Sequence, residues 1–168
     1  MEYTVELFRQ ADEKAIELVQ ELKNHSVNLA LAESCTTGLV SSLIGDVPGA
    51  SQVFWGSFMC YSQKAKESML DLDHDDLDTY GLVSSETACS MVERVLDISD
   101  AYIAASVTGI AGPDGDGSDV PVGTVWIATA RKDGDKKVKE FFFEGSRNEI
   151  RMQAAIAVLE AVKKALYA

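Results

Sequence analysis

Phe8, Ala11, Ala15, Leu18, Val19 and Leu22 recur at helical spacing near the start of the chain, and Asn24-His25-Ser26 follow as residues that stop a helix. The pattern predicts an amphipathic helix of about five turns with these side chains on its apolar face. Val27 to Ala32 is apolar at nearly every position, as in a strand buried on both faces, and Thr36 to Ile44 is predicted as the helix after it. Val53 to Tyr61 reads as a second strand, Ser62 to Leu70 and Ser84 to Leu96 as helices, and Ala101 to Val107 as a third strand. Ser84-Ser85-Glu86-Thr87 puts hydroxyls and a carboxylate where a helix start uses them. Val122 to Ala130 and Lys136 to Phe143 flank Arg131-Lys132-Asp133-Gly134-Asp135, whose Asp-Gly step signals an antiparallel hairpin. Ile150, Ala154, Ala157, Val158 and Ala161 mark a closing helix. The expected fold class is α/β: a three-layer α/β/α sandwich around a mixed, mainly parallel sheet of about five strands, with an antiparallel C-terminal hairpin. No repeat, low-complexity tract or long linker interrupts residues 1–168, so one domain is expected.

Three of the apolar runs end in hydroxyls and glycines. Val27 to Ala32 ends in Glu33-Ser34-Cys35-Thr36-Thr37-Gly38, Val53 to Cys60 in Tyr61-Ser62, and Tyr102 to Val107 in Thr108-Gly109-Ile110-Ala111-Gly112-Pro113-Asp114-Gly115. In open α/β sheets ligands bind beyond the carboxyl ends of the strands, so these clusters are expected to face one pocket.

Composition removes several classes of partner. Apolar residues make up 46% and charged residues 25%, an ordinary globular balance, while a net charge of -12 repels both a nucleic-acid backbone and an anionic membrane. Met1-Glu2-Tyr3-Thr4 is not a basic segment leading into an apolar stretch, and no apolar run reaches the roughly 20 residues that span a bilayer, so a cytoplasmic protein is expected. Cys35, Cys60 and Cys89 are odd in number and widely spaced, which indicates neither a disulfide framework nor a thiolate zinc site. Two acidic runs, Asp71 to Asp78 and Asp114 to Asp119, lack the glycine and glutamate of a calcium loop and read as solvated loops. No metal and no cofactor is expected.

Taken together, A-E-S-C-T-T-G at 32 to 38, Y-S-Q-K-A-K at 61 to 66, S-V-T-G-I-A-G-P-D-G at 106 to 115 and P-V-G-T-V-W at 121 to 126 resemble the CinA C-terminal domain family. The resemblance runs in order from about Leu29 to the closing helix. It implies a mixed sheet between helical layers, a homo-oligomer, specifically a dimer, and the family's best-known activity, deamidation of nicotinamide mononucleotide. A small-molecule pyridine nucleotide is then the expected partner.

By that resemblance Ser34 matches the proposed nucleophile and Lys66 its base. On its own residue type Ser34 is equally a helix cap, and Lys66 one charge on a solvated helix beside Lys64. His25 and His74 lie outside every motif, which leaves a Ser-His-Asp triad without a base. A lysine serves if burial lowers its pKa toward neutrality. Tyr61 and Thr108 also fall on matched positions, as hydroxyls that relay a proton or orient the amide, although Tyr61 equally fits a strand end with its hydroxyl at the surface. Backbone N–H groups near Thr36, Thr37 and Gly38, at a helix start, are expected to hold an oxyanion or a phosphate. Gly109, Gly112 and Gly115 match a ligand-lining loop. Arg147 matches a basic residue before the last helix, as a phosphate contact or a structural salt bridge. Cys35 beside Ser34 is an alternative nucleophile or a buried, inert thiol. Thr37 departs from the family pattern, which has glycine there, and a positive φ would strain its β-branched side chain.

The combined expectation is a metal-independent amidohydrolase converting nicotinamide mononucleotide to nicotinic acid mononucleotide and ammonia. A nucleotide-binding regulatory domain without catalysis and a purely structural interaction protein are the alternatives.

Overall fold

The computed structural model describes residues 2–168. Its elements run in the order α1 (Glu2–His25), β1 (Leu29–Glu33), α2 (Leu39–Gly45), β2 (Phe54–Met59), α3 (Gln63–Leu70), α4 (His74–Tyr80), α5 (Ser85–Ile98), β3 (Ile103–Gly109), β4 (Thr124–Arg131), β5 (Lys137–Phe142) and α6 (Arg147–Ala165). The five strands form one sheet in the order β2-β1-β3-β4-β5. β1 lies parallel to both β2 and β3, while β4 is antiparallel to β3 and to β5. The mixed sheet and its hairpin therefore match the expectation from the hydrophobic pattern.

Every residue of β1 is buried, which explains its unbroken apolar run. Side chains alternate across the sheet, so Leu29 and Leu31 pack with α1, α2 and α6, whereas Ala30 and Ala32 pack on the side of α3, α4 and α5. β3 alternates likewise, with Ile103, Ala105 and Val107 on the first side and Ala104 on the second. The result is three layers with an apolar core on each face of the sheet.

Three local expectations are corrected. Phe8 does not join the core; Leu7 takes the buried position in register with Ala11, Ala15, Leu18 and Leu22, and Phe8 is 52% exposed. The acidic stretch from Asp71 to Asp78 is not a loop throughout, because Asp73 accepts from the N–H groups of Asp75 and Asp76 and starts α4. Asp75 and Asp76 then sit in the first turn, where the helix dipole favours carboxylates, and Leu77 provides the buried contact. Third, α2 begins at Leu39 rather than Thr36, leaving Ser34 to Gly38 as a separate turn between strand and helix. Among the described residues no helix is long and apolar enough to cross a membrane.

Candidate active site

The carboxyl ends of β2, β1 and β3 adjoin in the sheet, and chain order reverses at β1, between β2 on one side and β3 on the other. Such a switch point opens a crevice. A cavity of about 280 Å³ lies there, reached by Ser34 and Cys35 after β1, Tyr61 and Lys66 after β2, and Thr108 to Gly112 at the end of β3.

Lys66 is placed by helix capping. Ser62 accepts from Ala65 N at 3.1 Å and starts α3, putting Lys66 in the first turn on the same buried face as Leu70. Helical side chains lean toward the N-terminus of their helix, so the lysine folds back over the end of β2. Its Nζ reaches Ser34 Oγ at 2.9 Å, the Cys60 carbonyl at 2.9 Å and the Tyr61 carbonyl at 3.5 Å. Lys66 is completely buried whereas Lys64 is exposed, which separates the two lysines. Burial pushes the Lys66 pKa below its ordinary value, opposed by the neighbouring thiols of Cys60 and Cys35. A neutral amine carries two N–H donors and one lone pair. Two carbonyls and the Ser34 hydroxyl match that inventory.

Ser34 N–H donates to Val107 O at 3.0 Å and so extends the β1–β3 ladder by one residue beyond Glu33. This anchors the serine backbone at the cavity floor. Cys35 also lines the cavity, but burial raises its thiol to about 12, which opposes thiolate chemistry.

The Thr36 and Thr37 hydroxyls turn to Glu33 and Arg151 rather than to the cavity, and Gly38 lies outside its lining. Nor is the N-terminus of α2 open to an anion. The fully buried Glu33 carboxylate accepts from Val40 N at 3.2 Å and Ser41 N at 2.9 Å, and also from the hydroxyls of Thr36 and Ser41. It thus caps the helix from inside the strand that precedes it. Thr37 has a φ of 48°, the left-handed region that disfavours a β-branched residue, while its hydroxyl lies 2.6 Å from Arg151 Nη2.

The Thr108 hydroxyl donates to Leu82 O at 2.7 Å instead of meeting Ser34 or Lys66, so it ties the cavity wall formed by Leu82 and Val83 to β3. At Gly109 the close backbone approach is to β4: a Cβ there would sit 2.7 Å from Thr124 O. Gly112 takes a φ of +78° as the loop turns across the cavity. Gly115, Asp114 and Asp116 complete the rim, and Asp116 accepts from its own turn at Ser118 N and Oγ. Arg147, the first residue of α6, donates to Gly112 O at 2.6 Å and to the Tyr61 hydroxyl at 3.2 Å. Among the described residues neither Lys66, Arg147 nor Arg151 has a carboxylate within 4.0 Å. The salt-bridge reading of Arg147 therefore lacks an anion.

Two residues escaped the sequence reading. Glu33 carried a signal, since a carboxylate ending an apolar strand just before a helix must find donors. Arg151 carried a weaker one, the i, i+4 spacing that sets it on the same face of α6 as Arg147.

The geometry combines a buried amine, a hydroxyl and a cationic rim at one strand edge, and the sequence profile of the CinA C-terminal domain matches residues 11–166. The chain belongs to the CinA C-terminal domain family. A protein of Enterobacter agglomerans named nicotinamide-nucleotide amidohydrolase PncC is 40% identical over 148 residues, covering 88% of this chain and 90% of its own length. A CinA-like protein of Syntrophomonas wolfei is 43% identical over 145 residues, 86% of this chain and 35% of the relative. The chain thus spans about a third of that longer CinA-like protein, and 39% of its counterpart in Thermosipho melanesiensis. The crystal structure of the competence/damage inducible protein CihA from Agrobacterium tumefaciens superposes with a TM-score of 0.88 at 33% identity, over 92% of this chain and 94% of that one.

Proposed function

We propose that this CinA domain hydrolyses the carboxamide of a nicotinamide nucleotide through Ser34 and Lys66. The observation that carries the reading is the 2.9 Å contact between the buried Lys66 amine and Ser34 Oγ. The name of the Enterobacter agglomerans relative supports the substrate class.

In this reaction neutral Lys66 takes the Ser34 proton as Oγ attacks the carboxamide carbon, and the carbonyl electron pair moves to oxygen. The backbone N–H groups of the turn after Ser34 are assigned to that oxyanion. The C–N bond then breaks, the lysine proton passes to the departing nitrogen, and ammonia leaves a nicotinoyl ester on Ser34. Water attacks the ester with Lys66 again accepting the proton; the bond to Ser34 Oγ then breaks, Lys66 returns that proton to Oγ, and the carboxylic acid nucleotide departs. Cys35, Val83, Ile110 and Ala111 offer apolar wall for the pyridine ring, and Tyr61 and Thr108 shape the pocket around it.

Incubation of the purified protein with nicotinamide mononucleotide tests this directly, the expected products being ammonia and nicotinic acid mononucleotide. Tight binding without ammonia would instead mark a regulatory nucleotide-binding domain. Neither binding nor turnover would leave the interaction protein.

Arg147 is assigned to the phosphate, because among the described residues its guanidinium contacts only neutral oxygens and it stands at the rim. Arg147→Ala is expected to raise KM roughly 10- to 100-fold, the value of one charge-assisted contact of about 1.5–3 kcal/mol, with little change in kcat. A fall in kcat at constant KM would move Arg147 from anchoring to chemistry.

The steps assigned to Ser34 and Lys66 need no metal, so prolonged EDTA treatment is expected to leave the rate unchanged. Loss of activity restored by a divalent cation would require a different mechanism.

A further inference from the structure

Arg151 reaches across from α6 to the turn that follows the nucleophile, and among the described residues all its side-chain hydrogen bonds go there: Nε to Cys35 O at 3.2 Å, Nη2 to Thr36 O at 2.8 Å, and Nη2 to the Thr37 hydroxyl at 2.6 Å. Ser34 O, the preceding carbonyl, accepts from Thr37 N at 3.1 Å. In a trans peptide the C=O and N–H point in opposite directions. The peptide between Ser34 and Cys35 has its carbonyl committed to the turn, and the next peptide has its carbonyl committed to Arg151. Both must therefore turn their N–H groups the other way. Within the described residues the Thr36 N–H has no hydrogen-bond partner although Thr36 is completely buried, and the N–H of buried Cys35 meets only its own thiol. Unpaired N–H groups in buried backbone are rare and demand an explanation.

We infer that Arg151 is a positioning residue which aims the Cys35 and Thr36 N–H groups as the oxyanion donors for Ser34. This rests on the amidohydrolase reading for its substrate but on geometry alone for its donors. Arginine suits the task because its planar fork spans several acceptors at once, whereas a lysine offers one point charge. Thr37, held in left-handed geometry at the end of the same turn, keeps its hydroxyl in the clamp.

The test uses Arg151→Lys, which keeps the charge and loses the fork, alongside Arg151→Ala, with thermal melting to establish that each is folded. Phenylboronic acid is the probe. Ser34 Oγ bonds to boron while its proton passes to Lys66, and the resulting anionic tetrahedral boronate places an oxygen where the oxyanion forms. In the wild type the Cys35 and Thr36 amide resonances are expected to shift on adduct formation. In folded Arg151→Lys the boronate affinity and the kcat on nicotinamide mononucleotide should each fall about a hundredfold, the usual effect of losing an oxyanion donor, with KM within about twofold. Full boronate affinity in folded Arg151→Lys would overturn the inference. So would shifts confined to the Ala111 and Gly112 amides, which would put the donors on the β3 loop. Absence of any adduct in the wild type would overturn it together with the nucleophile, whereas adduct formation without ammonia release would sink only the substrate reading.

Discussion

Ser34→Ala is expected to bind nicotinamide mononucleotide and release no ammonia, with kcat reduced roughly a millionfold, as when a covalent nucleophile is removed from an assembled site. Ser34 is nearly buried, its N–H is fixed to Val107 O, and its side chain meets only the Lys66 amine among the hydrogen bonds of the described residues. Loss of one hydroxyl therefore leaves the walls and the Arg147 rim in place. Substrate affinity, measured by calorimetry on the inactive variant, should stay close to the wild-type value. Full turnover by Ser34→Ala would end the assignment, and loss of turnover in Cys35→Ser with Ser34 intact would transfer the role to the thiol, against the burial that raises its pKa to about 12.

Lys66→Met carries the second large effect, a loss of about 10⁴-fold in kcat, because among the described residues nothing else within hydrogen-bond reach of Ser34 Oγ can take a proton. Lys64→Ala, on the exposed face of α3, should retain activity. Lys66→Arg should fail as well, since arginine stays charged and cannot act as a base. The pH dependence has a definite sign. A base works when neutral, and burial lowers the Lys66 pKa, so kcat/KM should rise with pH through that lowered value and then level off. Stability follows the same titration. The unfolded chain, with its ordinary lysine, binds more protons than the native state between the folded and unfolded pKa values, so wild-type stability rises with pH across that window. Lys66→Met lacks the titrating group, and the wild type should therefore gain on the variant as pH increases. A wild-type profile that falls with pH, or a stability difference that is flat, would show the amine is not held neutral by its burial.

The parts of the fold legible in the sequence are those where one local signal coincides with the final packing. β1 reads as a buried strand because both faces are covered, and Asp133-Gly134 marks the hairpin because its turn chemistry is local. α4 was not legible in this way: it buries only Leu77, and it forms because Asp73 caps it, a side-chain contact that looks the same in sequence as a solvated acidic run. The start of α2 moved from Thr36 to Leu39 because the Glu33 carboxylate occupies the amides of Val40 and Ser41 and leaves the preceding turn outside the helix.

In the site, Ser34 and Lys66 come together across 32 residues, and the motif resemblance named them while neither residue type would have done so alone. The place of Thr36, Thr37 and Gly38 after the nucleophile points to ligand-facing backbone N–H groups, and nothing in the sequence signals that the Thr36 and Thr37 hydroxyls serve Glu33 and Arg151 instead. Arg151 was invisible because its partners lie 115 residues away in the chain, and a lone arginine on an amphipathic helix ordinarily reads as solvated charge.

The most direct measurement is an acid quench of the wild-type protein within its first turnover of nicotinamide mononucleotide, followed by mass mapping of the modified peptide. The expected result is the nicotinoyl nucleotide ester on Ser34, absent from Ser34→Ala; the same group on Cys35, or first-turnover ammonia release with no acyl group on the protein, would contradict the Ser34–Lys66 mechanism.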